Sequence, residues 1–342
     1  MTLDLDKIEI FKQMLATPKK VVILSHTNPD GDAIGSSLAM AEVLKGLGHT
    51  VNCILPNRFP YYLKWMPNSD ELIIHAQDKL GVSQSVIEAA EVVICADMSS
   101  LSRLEALTDI IAENTTAKRI LVDHHLNPSS EFDLVFSSPE SSSTAYLVYA
   151  ILKAAYGCEV FNKTIATLLY VGMITDTGNF AFSNINPALF RAAADLLETG
   201  IDVPTIYNNV YNSFTEGRAR LFGYVINRKM KTLLKGTVAY LSLTEDEMRK
   251  FWFQQGDSEG FVNYPLSIKK VKMSAMFSEQ QGGFIRVSLR SHGSVDVNTF
   301  ARRYFNGGGH HNAAGGKSFM NMEDTIAHYI KSVEEYHNEG LV

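Results

Sequence analysis

His26, Asp30 and Asp32 place one imidazole and two carboxylates within seven consecutive positions. That donor set suits a hard or borderline divalent cation such as manganese. The surrounding stretch, VVILSHTNPDGDAIG at 21–35, opens with four apolar residues, turns at Pro29 and Gly31, and runs on into AIGSSLAMAEVLKGLG. It reads as a buried strand, a loop and a helix. Beyond the carboxyl end of a strand in an α/β sheet lies the crevice where such sheets bind substrates and metals. Taken alone, the stretch also reads as an Asx-rich turn carrying a solvent-exposed histidine.

The same placement recurs along the chain. VVICAD ends in Asp97, KRILVDHH carries Asp123, His124 and His125 to the end of another strand, and NKTIATLLYVGMITDTGNF reads as a helix that finishes around Asp176. A single aspartate at a strand end is usually a turn former or a helix cap. Several such placements, each with metal-ligating chemistry, point instead to one site assembled from separate elements.

Those elements can be traced in order. Leu5, Ile8, Phe11 and Leu15 form one face of a first helix that Pro18 ends. TVNCILP and DELIIH read as further strands, STAYLVYAILKAAYG, NPALFRAAADLLETG and VPTIYNNVYN as helices, and the serine run at 137–143 as a polar loop. The expected fold class is α/β in two domains. A mainly parallel sheet flanked by helices occupies 1–213, a helical connector with Arg218, Arg220, Arg228 and Lys229 on a solvated face spans 214–236, and a smaller mixed-sheet α/β domain fills 237–342. In the last, TVAYLSLT, KMSAMFSE and FIRVSLRS alternate like strands, with a turn at 281–283 between the final two.

Composition narrows the function classes. A chain of 342 residues accommodates two domains, and 46% apolar with 20% charged residues is ordinary for a globular protein. No apolar run approaches the roughly 20 residues of a membrane span, and the acidic, amphipathic N-terminus is unlike a signal peptide, so a cytoplasmic protein without a membrane partner is expected. Cys53, Cys95 and Cys158 are odd in number and lack CxxC spacing, which predicts buried free thiols. A formal net charge of −6 argues against a surface for long nucleic acid and leaves room for a short anionic substrate.

SHTNPDGDAIGS, VVICADMSS, LVDHH and ITDTGNF, in this order and at these intervals, resemble the motifs of the DHH phosphoesterase superfamily, which includes RecJ-type exonucleases and family-II pyrophosphatases. The resemblance implies two divalent metal ions, manganese first with magnesium or cobalt as alternatives. His26, Asp30 and Asp97 would hold one, and Asp32, Asp97, His124 and Asp176 the other, with Asp97 bridging. It further implies that Asp123 orients His124, because metal-bound imidazoles commonly give their second N–H to a carboxylate, and that His125 faces the substrate phosphate. Asp97, Asp123 and His125 are thus the expected catalytic residues. Two metals about 3.5–4 Å apart can generate a hydroxide nucleophile and neutralise developing charge, so no serine or cysteine nucleophile is required.

SLRSHGSVDVNTFARRYFNGGGHHNAAGG offers a second anion site: three glycines let backbone N–H groups approach a phosphate, and Arg290 and His310 add side-chain donors. A flexible surface loop has the same composition, and the small residues after the histidines can start a helix. GGGHHNAAGG, VSLRS and VDVNTFA resemble the DHH-associated C-terminal domain, which implies that Arg290, Ser291, Gly307, Gly308, Gly309 and His310 bind the phosphate or nucleotide end of the substrate. At this length the two motif sets together resemble the nanoRNase/pAp-phosphatase branch. That implies hydrolysis of short oligoribonucleotides to nucleoside monophosphates and of 3′-phosphoadenosine 5′-phosphate to AMP, in a cleft between the domains. Motifs shared across the superfamily leave open a linear or cyclic dinucleotide phosphodiesterase, an exopolyphosphatase, and a nucleotide-binding sensor without activity. A homodimer is compatible with the sequence.

Overall fold

The computed structural model of the chain describes residues 3–182 and 184–342. It folds as two compact units that divide between Ser213 and Phe214.

The first unit is built on strands β1 (Lys20–Ser25), β2 (Thr50–Leu55), β3 (Ile73–Ile74), β4 (Val92–Ala96), β5 (Lys118–Asp123) and β6 (Leu134–Ser137). They form one sheet in the order β3-β2-β1-β4-β5-β6, with every pairing parallel. Helices α1 (Leu5–Met14), α2 (Gly31–Gly46), α3 (Val82–Glu88), α4 (Leu107–Glu113), α5 (Thr144–Tyr156), α6 (Lys163–Asp176), α7 (Pro187–Glu198) and α8 (Val203–Tyr207) surround it. Val22, Leu24, Val93, Cys95 and Leu121 join Ile87 of α3 and Leu107 and Ile111 of α4 in one apolar cluster. Ile23, Ile94, Ile120 and Val122, of opposite parity, are fully buried as well. A parallel sheet covered on both faces requires this, and it is why its strands read as unbroken apolar runs.

Helices α2, α5 and α6 pack on one another. A Cβ on Gly35 would stand 2.4 Å from the Leu168 carbonyl oxygen, and one on Gly172 would stand 2.5 Å from Ala145 Cβ and 2.9 Å from Asp32 Oδ1. Glycine at these two positions sets the closeness of the α2–α6 crossing. Cys53 and Cys95 are buried, but Cys158 is exposed, which corrects the expectation of three buried thiols. It directly follows Gly157, the residue that ends α5, where the chain leaves the core.

The second unit carries β7 (Lys231–Leu233), β8 (Val238–Leu243), β9 (Met273–Gln280), β10 (Phe284–Ser291), β11 (Gly308–His310) and β12 (Ala313–Ser318), with helices α9 (Glu216–Tyr224), α10 (Glu245–Lys250), α11 (Val297–Tyr304) and α12 (Met322–Asn338). Its sheet runs β11-β12-β10-β9-β8-β7 and is mixed, because β8 and β9 pair in parallel while the other pairings are antiparallel. One face packs Val238, Phe277 and Val287 against Phe300 of α11 and Tyr329 and Tyr336 of α12. The other packs Leu241, Leu243 and Met276 against Leu221 of α9, Val225 and Phe261. The segment 214–236, read in sequence as a connector, is therefore packed into this unit through its apolar stripe.

The run 307–316 is also corrected. Instead of a loop leading into a helix, it forms the paired strands β11 and β12. A Cβ at Gly307 would lie 1.9 Å from the Gly315 carbonyl oxygen, and one at Gly309 2.5 Å from that of Ala313. These glycines serve the approach of backbone to backbone. Among the described residues no helix is long and apolar enough to cross a membrane.

Gly172→Val is expected to destabilise the first unit by about 1–3 kcal/mol through overpacking at the α2–α6 crossing. The measurement is the urea-denaturation midpoint, and an unchanged midpoint would mean that the two helices have slack to separate.

Candidate active site

The strand order of the parallel sheet reverses between β1 and β4, where open α/β sheets leave a crevice beyond their carboxyl ends. Ser25 pairs with Ala96 and Ala96 with Val122, so His26, Asp97 and Asp123 come next in register on three adjacent strands. Asp97 leaves β4 with a φ of 62°, a left-handed conformation that aspartate tolerates better than most residues. Its N–H donates to the Val122 carbonyl at 3.0 Å. Asp30 is the N-cap of α2, accepting from the N–H groups of Asp32 at 3.0 Å and Ala33 at 3.1 Å. Asp32 follows in the first turn of α2, and Asp176 is the last residue of α6.

Ligand atoms of His26, Asp30 and Asp97 lie within 4.8 Å of one another, as do those of Asp32, Asp97 and His124, so Asp97 belongs to both groups. Asp176 stands beside the second group, with Oδ2 3.3 Å from His124 Nε2. His26 Nδ1 lies 2.8 Å from the Thr27 carbonyl oxygen and His124 Nδ1 lies 3.2 Å from that of Ser141. A carbonyl can only accept, so both rings carry a proton on Nδ1 and aim Nε2 at the carboxylates: His26 at Asp97 (3.4 Å), His124 at Asp97 (3.6 Å) and Asp32 (3.8 Å). Imidazole lone pairs and carboxylates converging in this way need a cation between them, either a proton or a metal. The mixed oxygen and nitrogen donors fit a divalent ion of the manganese type.

Charge within the cluster agrees. Asp32 is pushed well above the ordinary carboxylate range by burial and then by the charges of Asp97, Asp176 and Asp30. Burial also pushes Asp176 up to about 6, with His124 opposing the shift and Asp30 and Asp97 adding to it. Asp97 goes the other way: burial alone would raise it, but the His26 contact and the charges of His125 and His124 hold it far below the usual range. His125 is held up at about 9, since the hydrogen bond to Asp123 and the charge of Asp97 outweigh its burial. Two buried carboxylates pushed upward by their acidic neighbours mark a site short of positive charge, which divalent ions would supply.

Asp123 does not orient His124. Its Oδ1 accepts from His125 Nδ1 at 2.7 Å, and the neighbouring ring is oriented by the Ser141 carbonyl. The two imidazoles stand side by side, with ring centroids 5.1 Å apart, and both approach Asp97 Oδ1, at 3.6 Å for His124 and 3.8 Å for His125.

The serine run supplies more than the polar loop expected of it. Ser141 and Ser143 are fully buried, as is Thr144. Ser143 caps α5 by accepting from the Tyr146 N–H at 3.0 Å. Asp32 receives both first N–H groups of that helix, from Thr144 to Oδ2 at 2.7 Å and from Ala145 to Oδ1 at 2.8 Å. Thr144 Oγ1 lies 2.9 Å from Asp97 Oδ1. Sequence reasoning missed these groups, although Ser143 followed by an apolar helix was a readable capping signal.

In the second unit, Arg290 is the penultimate residue of β10, with Nη1 donating to the Leu289 carbonyl at 3.0 Å, and His310 ends β11. The Ser291 hydroxyl donates to the Val295 carbonyl at 2.6 Å and accepts from Asn312 Nδ2 at 2.8 Å, two bonds that close a turn. The N–H of Gly307 donates to the Ala301 carbonyl at 3.1 Å and that of Gly309 to Asn298 Oδ1 at 3.0 Å. Strand pairing and α11 thus take up donors that the sequence suggested for a phosphate, while Gly308 pairs with Gly315 between them. Arg302, not singled out in sequence, bonds the same Asn298 Oδ1 at 3.2 Å.

The DHH family N-terminal domain model matches residues 20–173, and the DHHA1 domain model matches residues 235–338. The chain is 27% identical over 318 residues to the bifunctional oligoribonuclease and PAP phosphatase NrnA of Mycoplasma genitalium, covering 92% of this chain and 94% of that protein. It is 39% identical to a solved exopolyphosphatase-related protein from Bacteroides fragilis, with a TM-score of 0.90 and 97% of each chain covered. The structure of RecJ from Thermus thermophilus in complex with Mn²⁺ shares the fold at 16% identity, with a TM-score of 0.56 over 98% of this chain and 54% of that one. The motifs at the strand ends, the paired His/Asp clusters and these matches make the chain a member of the DHH family, a metal-dependent phosphoesterase with a DHHA1 domain.

Proposed function

We propose that this phosphoesterase hydrolyses short oligoribonucleotides to nucleoside monophosphates and 3′-phosphoadenosine 5′-phosphate to AMP and phosphate, with manganese as its metal. The observation that carries the reading is the end-to-end likeness to a bifunctional oligoribonuclease and PAP phosphatase, which spans 92% of this chain and 94% of that protein. A formal charge of −6 suits short substrates, which present little polyanion beyond the site itself.

In this reading His26, Asp30 and Asp97 hold one divalent ion, and Asp32, Asp97, His124 and Asp176 hold the second. Ions of this kind, when bound, lower the pKa of water and offset charge developing on phosphoryl oxygens. His125 keeps its proton through Asp123, and its Nε2–H is the donor we assign to a phosphate oxygen of the substrate. Arg290 and His310 are assigned to a second phosphate, or to the nucleotide that carries it. No side chain acts as nucleophile.

A second reading, exopolyphosphatase, is favoured by the Bacteroides fragilis protein described as exopolyphosphatase-related. The two are separated by assaying a ribodinucleotide, 3′-phosphoadenosine 5′-phosphate and polyphosphate side by side, with Mn²⁺ and with chelator. Turnover of the first two that chelator abolishes is the expected result, and turnover of polyphosphate alone would replace the nucleotide assignment.

Asp97→Ala is expected to lower kcat by more than the roughly 10–100-fold typical of an outer contact to a metal site, with the circular-dichroism spectrum unchanged. Full activity with normal manganese content would remove the shared-carboxylate assignment. Arg290→Ala and His310→Ala are each expected to raise KM roughly tenfold, the equivalent of about 1.4 kcal/mol, and to leave manganese affinity alone. Lost manganese at unchanged KM would place them at the other site.

A further inference from the structure

The first turn of α5 touches the candidate metal centre from a side that carries none of its ligands. Ser141 offers its carbonyl to His124 Nδ1 at 3.2 Å, Thr144 and Ala145 give their N–H groups to the two oxygens of Asp32 at 2.7 and 2.8 Å, and Thr144 Oγ1 meets Asp97 Oδ1 at 2.9 Å. Three residues of the stretch 141–145, Ser141, Thr144 and Ala145, thus contact three of the four residues grouped around the second cluster. Thr144 does two of these jobs at once and is fully buried. Its hydroxyl faces an ionised carboxylate and therefore donates. With Oδ1 held by Thr144 and Oδ2 3.4 Å from His26 Nε2, the plane of the Asp97 carboxylate is fixed, with one oxygen towards each histidine cluster.

We propose that Thr144 is a positioning residue for the metal-dependent reaction: its hydroxyl orients the Asp97 carboxylate, the residue shared by the two groups that would hold the ions, while its N–H holds Asp32 in place. This rests on the two-ion reading given above. In that reading Thr144 is not itself one of the residues that hold an ion. Outer contacts of this type commonly govern metal affinity and activity by roughly 10–100-fold.

The test uses the full chain and Mn²⁺ as probe, with free Mn²⁺ counted by electron paramagnetic resonance during titration of the metal-stripped protein. Thr144→Val keeps shape and N–H but lacks the hydroxyl, and Thr144→Ser keeps the hydroxyl. Two equivalents bound by the unaltered protein, at least one weakened about tenfold or more in Thr144→Val, and recovery to within about threefold in Thr144→Ser are expected. The kcat of the valine variant is expected to fall with KM little changed, because the substrate-binding groups are untouched. Thermal denaturation in chelator controls for folding, and a valine variant that melts early leaves the serine variant to decide: weakened binding there, with the hydroxyl present, overturns the proposal. Identical Mn²⁺ binding and kcat in Thr144→Val and the unaltered protein overturn it as well. Failure of the unaltered protein to bind Mn²⁺ would overturn the two-ion reading itself, and this inference with it.

Discussion

Asp32, Asp97 and Asp123 are almost wholly buried within one unit, with Asp30 and Asp176 beside them, and like charges at this distance in a low-dielectric interior repel strongly. Most of what surrounds them offsets that repulsion. Three histidines face Asp97. The N-terminal end of α5, with its partial positive charge, meets Asp32 with two N–H groups. Asp30 accepts two more from the start of α2. Asp123 Oδ2 remains buried without a hydrogen-bond partner. Protein groups alone leave Asp32 and Asp176 pushed above the usual carboxylate range, a shortage of positive charge that a bound cation would make good.

The fold is the means of bringing these groups together. Parallel strands present their carboxyl ends on one side, and the reversal of strand order opens that side. Candidate ligands separated by up to 150 positions, from His26 to Asp176, can then meet only if α6 reaches the sheet edge beside α2. The Gly35 and Gly172 contacts permit that approach, and one of them lies against Asp32 itself. Packing and chemistry are therefore coupled at residue level: the same crossing that closes the core sets the distance between a first-turn carboxylate of α2 and a last-turn carboxylate of α6.

Much of the first unit was legible in the sequence because its strands are buried on both faces and read as apolar runs that end in Asp or His. β6 was not read as a strand, since four residues with alternating burial give too short a pattern. In the second unit the antiparallel strands β9 and β10 and the turn between them were readable from alternation, but β11 and β12 were not. Their glycines and alanines are also the composition of a flexible loop, and only the contact with Gly315 and Ala313 across the ladder distinguishes the two. Long-range proximity, which composition does not encode, decided the structure there.

The site divides the same way. Residues that would bind through side chains announce themselves by type, and His26, Asp30, Asp32, Asp97 and His124 could be named from sequence together with the chemistry they suit. Groups that hold those side chains in place are largely backbone: the carbonyls of Thr27 and Ser141 and the N–H groups of Thr144 and Ala145. Any residue except proline offers such an N–H, so no residue type marks it. What the sequence can mark is where a helix begins, because only the first turn has N–H groups to spare. Ser143 as the N-cap of α5 sets that position, and a shift of one residue would turn both donors away from Asp32. The serine run that looked like an uninformative loop thus constrains the site through the backbone it starts, and that constraint becomes visible only when the partner carboxylate is in view.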